Sequence, residues 1–301
     1  MSRRIAVVGL PFFASRVAAS LHEMGYDARF LPRPGRSPAA WATLARELVR
    51  ARLVYAIGSS AVRNGPLDLI ARLRRPILMH WVGSDVRHAL AAQSAGRASA
   101  RLLRHAAHWA DAPWLAEELA PLGIAPAVHP LPVPVAVGTS LPLPAEFRVL
   151  VYLPASPHAF YDVAGILATV AALPEVPFTL AGGFTPPERP PNLELAGYVK
   201  DLRPFYEAST ALLRLVHHDG MSHSVVEALS FGRHVLWSYP FPGATRVAGA
   251  DVAIAAIRVL QRAAHAGTLE VNETGAREVT QRYRWDNLQS EIRTGIDQLL
   301  S

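Results

Sequence analysis

The sequence predicts an α/β protein of two doubly wound domains, and three observations predict it. Short apolar runs of strand length alternate with amphipathic helical patterns along most of the chain, as parallel βαβ units require. The 301 residues, 50% of them hydrophobic, suffice for two cores of ordinary size. Between two series of such units, residues 124–144 are studded with proline and lack a helical period, which marks a last strand followed by a linker.

The elements follow in order. Ile5–Val8 reads as the opening strand, and the pattern from Arg16 to Met24 as a helix with Gly25 as its C-cap. The apolar stretch after Arg3 and Arg4 also mimics a short secretory signal, but strand-then-helix accounts for it better. Further strands are predicted at Ala28–Leu31, Leu53–Ile57, Ile77–Trp81 and around Ala112–Pro113. Helices are predicted over Ala40–Arg50, Pro66–Arg74 and Ser94–Trp109. The second series opens with the strand Phe147–Leu153 and a helix around Ala159–Leu173. It continues through strands Phe178–Ala181 and Leu193–Leu195, a helix over Asp201–Ser209, and the strand Ala211–Val216. A short helix ending near Gly232 and a strand over Val235–Ser238 come next. Trp285–Leu300 sets Leu288, Ile292, Ile296 and Leu299 on one helical face. The expected boundaries are 1–138 for the first domain, 139–146 for the linker, 147–284 for the second domain and 285–301 for a terminal helix.

Composition excludes several function classes. With no Cys, the chain has no disulfide, no thiolate nucleophile and no Cys-based zinc site. The longest uncharged run, Leu119–Ala145, carries seven prolines and cannot be a membrane helix. A cytoplasmic location is expected. Of 30 basic residues 29 are Arg, so abundant Arg is a compositional habit rather than a phosphate signal. The charge is lopsided: residues 1–140 carry a net +9 and residues 141–301 a net −3. A basic first half can steer anionic ligands or rest peripherally on an anionic membrane; it is equally an ordinary solvated face. The stripe Arg97, Arg101, Arg104, His105 and His108, on one predicted helix, allows the same two readings. Nucleic acid is not an expected partner.

The chemistry concentrates in residues 214–236. A buried strand ends near Arg214–Val216, a polar turn holds Asp219, Gly220, Met221 and Ser222, and a helix follows. A helix that starts just beyond a strand end offers backbone N–H groups and partial positive charge, which suit a phosphate. Glu227, about a turn into that helix, can accept hydrogen bonds from sugar hydroxyls. The same residues allow another reading, because Ser224-x-x-Glu227 is also a capping box. His217, His218 and His223 beside Asp219 invite a metal, but their spacing matches no zinc motif.

Asp219 and Glu227, eight apart, resemble the acid-x7-acid signature of family 4-like retaining glycosyltransferases with the GT-B fold. Other segments resemble that family in the same order: His80-Trp-Val-Gly83-Ser84-Asp85, Asp111–Ile124, Asn192–Leu202 with Gly197-Tyr198-Val199, and Tyr283-Arg-Trp285 with the helix after it. The resemblance implies two Rossmann-like domains facing a cleft, the C-terminal helix crossing back to the first. It implies retaining, metal-independent transfer, of the hexosyltransferase class, from a UDP- or GDP-linked sugar to an unidentified acceptor, with no cofactor. In that reading Glu227 holds the ribose. Gly220, Met221 and Ser222 face the diphosphate, Tyr198 and Val199 contact the base, Asp219 orients the donor sugar, and His80 hydrogen-bonds that sugar or the diphosphate. Asp85 and Ser84 lie on the acceptor side.

Bland roles compete at three of these positions: a turn residue for Asp219, a satisfied strand-end histidine for His80, a helix cap for Asp85. The family's diphosphate-holding Arg and Lys are missing from Leu153–Asp162, and the Gly pair of its first loop is replaced by Gly9-Leu-Pro-Phe-Phe. Arg214 or Arg16 is the expected substitute cation, since a guanidinium grips phosphate as a fork. The departures also leave room for a non-catalytic GT-B-like binding or scaffold protein. A dinucleotide oxidoreductase fits poorly. Gly9-Leu-Pro-Phe-Phe-Ala is not G-x-G-x-x-G, and Arg33 and Arg36 stand where a ribose-binding acid belongs.

Overall fold

The computed structural model describes residues 3–157 and 159–301, so Met1, Ser2 and His158 lie outside the described residues. The chain forms two compact units. One runs to Pro134 and takes in Trp285–Ser301, and the other is Val135–Arg284.

In the first unit the order is β1 (Arg4–Gly9), α1 (Pro11–Glu23), β2 (Asp27–Phe30), α2 (Pro38–Arg50), β3 (Leu53–Ile57), α3 (Pro66–Arg72) and β4 (Ile77–Trp81). It continues with α4 (Ser84–Ser94), α5 (Ala100–His105), β5 (Ala107–Ala110), α6 (Pro113–Leu119) and β6 (Ala127–Val128). All strands are parallel, in the order β2-β1-β3-β4-β5-β6. β3 and β4 are buried along their whole length, as expected for strands covered on both faces. The last helix (Trp285–Leu300) seals this unit. Its Leu288, Ile292 and Ile296 join Ile5, Val7, Leu21, Tyr55 and Trp109 in one core cluster. Gly295 permits the approach, because a Cβ there would sit 2.6 Å from the Trp109 ring. Tyr26 Oη donates to Asp297 at 2.8 Å, and Arg52 donates to the Leu300 carbonyl at 2.9 Å.

The second unit runs β7 (Val149–Tyr152), α7 (Val163–Ala171), β8 (Phe178–Ala181), β9 (Leu193–Gly197), α8 (Arg203–Glu207) and β10 (Ala211–Arg214). Then come α9 (His223–Ser230), β11 (His234–Trp237), β12 (Ala244–Arg246), α10 (Ala250–His265) and α11 (Glu273–Tyr283); the helix over Trp285–Leu300 is α12. Its sheet is again all parallel, ordered β12-β11-β10-β7-β8-β9. The chain therefore winds outward through β8 and β9, returns to the middle, and winds the other way from β10. The reversal lies between β7 and β10, and connections that diverge there open a crevice at the carboxyl ends of the strands.

Several predicted elements are corrected. The helix expected over Ser94–Trp109 is two helices and a strand: α4 stops at Ser94, Ser99 caps α5 by accepting from Leu102 N–H, and β5 begins at Ala107. The stripe Arg97–His108 is thus not one helix face; Arg97 lies in a turn and His108, on β5, accepts from Trp81 Nε1 at 3.2 Å. The strand expected around Ala112–Pro113 lies earlier, because Pro113 takes the first helical position of α6, where its missing N–H costs nothing. Helix α1 begins at Pro11 for the same reason, which puts Arg16 in its second turn. Helices α10 and α11 and strand β12 fall in a stretch that carried no sequence assignment.

Candidate functional site

Five loops meet at the carboxyl edge of the second sheet, and backbone contacts hold them close. Pro154, after β7, bridges Gly183, after β8. Gly182 N–H donates to Gly197 C=O at 2.9 Å. A side chain on Gly182, at φ 107°, would lie 2.3 Å from the Leu153 carbonyl oxygen, so glycine alone lets these turns approach. Tyr161 bridges Val216, and His217 N–H donates to Phe160 C=O at 2.6 Å. The loop Leu153–Asp162 is thereby pinned along the turn that follows β10. That turn is anchored by Ser238 after β11, whose Oγ accepts from Val216 N–H at 2.9 Å. The Tyr239 hydroxyl accepts from Asp219 N–H at 3.3 Å.

The charged groups are arranged in two pairs. Arg214, the last residue of β10 and buried, gives both Nε (2.9 Å) and Nη2 (2.5 Å) to one oxygen of Asp219. Its guanidinium also lies 5.2 Å from the Tyr161 ring centroid. Burial works against its charge, but Asp219 and the Tyr161 hydroxyl outweigh it and raise its pKa. The second pair joins Glu227, on α9, to Tyr206, on α8, whose hydroxyl donates to Oε2 at 2.8 Å. Tyr206 is buried and stacked on Phe231, with ring centroids 5.8 Å apart. Its pKa is raised by burial first and by the Glu227 charge second. The hydroxyl of Tyr152, at the end of β7, is also raised, by burial and then by Tyr161, with Arg214, Tyr198 and Glu227 acting on it as well.

The capping-box reading of Ser224 and Glu227 is not what forms. Ser222 is the N-cap of α9, its backbone carbonyl accepting from Val225 and Val226 N–H at 3.1 Å each. Its side chain makes no capping bond and instead lies 2.9 Å from Ser224 Oγ. Glu227 is the fifth helical residue, too far along to reach back to the cap. Gly220, Met221 and Ser222 lead into the helix start, and Tyr198 stands at the end of β9 with 77% of its surface exposed. Among the described residues no group of three or more His, Asp or Glu could hold a metal ion, so the cluster of His217, His218, His223 and Asp219 does not assemble as one.

The other predicted site residues are engaged as follows. His80 lies inside the first unit, 1% exposed. Tyr55 Oη is 2.6 Å from its Nδ1 and the His129 carbonyl oxygen 2.9 Å from its Nε2, so both ring nitrogens are engaged. Burial lowers its pKa to about 3, which keeps the ring neutral. Asp85 is buried, and both its oxygens accept from Val82 N–H, at 3.1 and 3.3 Å, at the start of α4. Burial raises its pKa to about 6 against the pull of those amides; the N-cap of α4 is Gly83, and Asp85 is the second helical residue. Ser84 beside it is half-buried. Arg214 is engaged with Asp219, and Arg16 is exposed on α1 with its guanidinium 4.1 Å above the Phe12 ring.

The tyrosines Tyr152, Tyr161, Tyr206 and Tyr239 were not singled out from sequence. Tyr206 meets Glu227 across 21 residues, a separation that leaves no local pattern. A groove of about 630 Å³ lined by Leu167, Ala171, Pro187 and Arg189 lies at the opposite, amino-terminal edge of this sheet and holds none of these groups.

No family model matches the chain, and no curated protein matches it. Solved structures do, over its full length. A sucrose-phosphate synthase from Thermosynechococcus elongatus has a TM-score of 0.70 at 13% identity, covering 99% of each chain. Anabaena HepE, solved with UDP and glucose, has a TM-score of 0.68 at 12% identity, covering 99% of this chain and 100% of its own. A glycosyltransferase from Rickettsia africae has a TM-score of 0.67 at 9% identity, covering 100% and 99%. With two six-stranded parallel sheets and that likeness, the chain has the GT-B fold. No helix among the described residues is long and apolar enough to cross a membrane.

Proposed function

We propose that this protein is a glycosyltransferase that moves a sugar, of the hexose class, from a UDP-linked donor to an acceptor with retention and without a metal ion. The observation that carries the reading is the carboxyl-edge constellation at the β7/β10 reversal: a carboxylate, Glu227, fixed by Tyr206 beside the start of α9. In this proposal Glu227 accepts from the ribose hydroxyls, and the base lies by Tyr198 and Val199. The amides of Gly220, Met221 and Ser222 and the N-terminal dipole of α9 meet the diphosphate. Asp219, its orientation locked by Arg214, faces the donor sugar. The bond from the anomeric carbon to the diphosphate oxygen breaks and the diphosphate leaves with the electron pair. The acceptor hydroxyl bonds to that carbon and its proton passes to the departing phosphate oxygen. Fixed dipoles stabilise the charge that develops on the leaving group. That the structure with UDP and glucose is among the close likenesses favours a uridine donor.

One observation favours a second reading, a non-catalytic nucleotide-binding or scaffold protein: Leu153–Asp162 has no Lys or Arg, and Arg214 is engaged with Asp219. Thermal shift with UDP, GDP and NAD, followed by UDP-sugar hydrolysis, tests both. UDP at 100 times its Kd should add about 2.7 kcal/mol, and Glu227→Ala should remove most of that gain. UDP binding without hydrolysis or transfer supports the second reading. Stabilisation by NAD alone would defeat both.

A further inference from the structure

The first unit carries its own strand-order reversal, between β1 and β3; the turn at the carboxyl end of β1 is apolar, whereas the one after β3 reads Gly58-Ser59-Ser60. Leu10, Pro11, Phe12 and Phe13 stand where a polar glycine-rich turn would suit a phosphate or a sugar. Leu10 is 40% and Phe12 59% exposed. Single exposed apolar side chains are ordinary on any surface; these are set into a shaped floor. Gly58, at φ 57°, makes room for Leu10, since a Cβ there would lie 2.4 Å from Leu10 Cδ1 and 3.4 Å from Val82 Cγ2. Gly9, at φ 118°, lets the turn sit down on β3, where any side chain would strike the Ile57 carbonyl at 1.9 Å. Phe13 packs partly into the core and edge-on against Phe12 at 5.1 Å, fixing the ring that Arg16 covers. Arg16 has no ion-pair partner among the described residues, and helix α1 begins at this same turn, so the rim is cationic.

We propose that this edge receives an acceptor with an apolar alkyl or aryl body and an anionic group, the body against Leu10, Phe12 and Val82 and the anion on Arg16. The word acceptor rests on the glycosyl-transfer reading above; the binding chemistry does not. A cation over an aromatic ring beside a bare apolar floor complements an amphipathic anion better than it does a neutral glycan, which would desolvate Arg16 without pairing it.

Calorimetry with hexyl phosphate, hexanol and inorganic phosphate, each as a soluble monomer, tests the proposal. Hexyl phosphate should bind at least about tenfold more tightly than either fragment. Phe12→Ser and Arg16→Gln should each lose about tenfold or more for hexyl phosphate, and Phe12→Ser should keep the parent's UDP affinity. Inorganic phosphate binding as well as hexyl phosphate, or both variants binding hexyl phosphate like the parent, would overturn it. A fall in UDP affinity in Arg16→Gln would return Arg16 to the donor diphosphate and overturn it too. Binding to phosphatidylglycerol vesicles with none to monomeric hexyl phosphate would make the patch a membrane contact instead. Loss of UDP binding by the parent would strike the transferase reading alone.

Discussion

Replacing Tyr206 by Phe removes one oxygen and nothing else, so it isolates what holds Glu227 in place. The ring is buried and stacked on Phe231, and both features survive the change. What is lost is a 2.8 Å hydrogen bond from the hydroxyl to the Glu227 carboxylate. A hydrogen bond to a charged group contributes about 1.5–3 kcal/mol. Glu227 is only half-buried and can recover part of that from water, so about 1–2 kcal/mol should appear, or about 5- to 30-fold in the Kd for UDP. Calorimetric titration of UDP into the parent, Tyr206→Phe, Glu227→Ala and the double variant forms a complete cycle. If Tyr206 acts by aiming Glu227, its loss costs affinity in the parent background and nothing once Glu227 is gone. Equal losses in both backgrounds, or a lower melting temperature with unchanged affinity, would refute the reasoning and leave Tyr206 as packing.

Arg214→Ala removes two hydrogen bonds to the half-buried Asp219 and should destabilise the second unit by about 1.5–3 kcal/mol; the Arg214→Met, Asp219→Leu pair should be milder, and chemical denaturation of both separates structural pairing from a direct role in turnover. Because His80 is held neutral with a pKa near 3, the unfolded chain binds a proton there below about pH 6.5 that the folded chain excludes, so stability falls as pH falls through that window. Asp85, raised to about 6, works in the opposite sense between pH 6 and its unfolded value. The difference between parent and His80→Gln denaturation curves from pH 4 to 7 should slope by up to about 1.4 kcal/mol per pH unit, and parallel curves would show that His80 titrates freely. Gly295→Ala should lower the melting temperature by forcing the Trp109 ring away from a Cβ 2.6 Å distant, with Trp fluorescence reporting the shift; an unchanged melt would mean the helix moves at no cost.

What the sequence disclosed and what it hid divide along physical lines. The strand Ala211–Arg214 and the turn and helix after it were legible because a short apolar run, a glycine turn and an amphipathic octet follow one another without interruption. The terminal helix was legible because Leu288, Ile292 and Ile296 repeat at helical spacing. Ser94–Ala110 misled, since alanine and arginine extend a helical pattern straight through the cap at Ser99 and into β5. At the site, Glu227 stood out through its spacing from Asp219, whereas its partner Tyr206 and the commitment of Arg214 to Asp219 depend on side-chain directions that spacing does not encode. His80, at a strand end, allowed both a donor-side role and a satisfied place in the core. It became a core residue because Tyr55 and the His129 carbonyl, 25 and 49 residues away, supply its two hydrogen bonds.

The placement of α12 sets the order in which the two units can be completed. Every strand and helix of the second unit lies within one continuous stretch, Val135–Arg284. The first unit, made earlier on the ribosome, lacks Leu288, Ile292 and Ile296 from its core until that whole stretch has been synthesised. Domains usually fold in the order they emerge. Here the earlier-made unit cannot complete its core, around Tyr26 and Trp109, until α12 has been made. That interval is when the nascent chain is most exposed to aggregation and to chaperones. At 5–20 residues per second it lasts on the order of ten to thirty seconds.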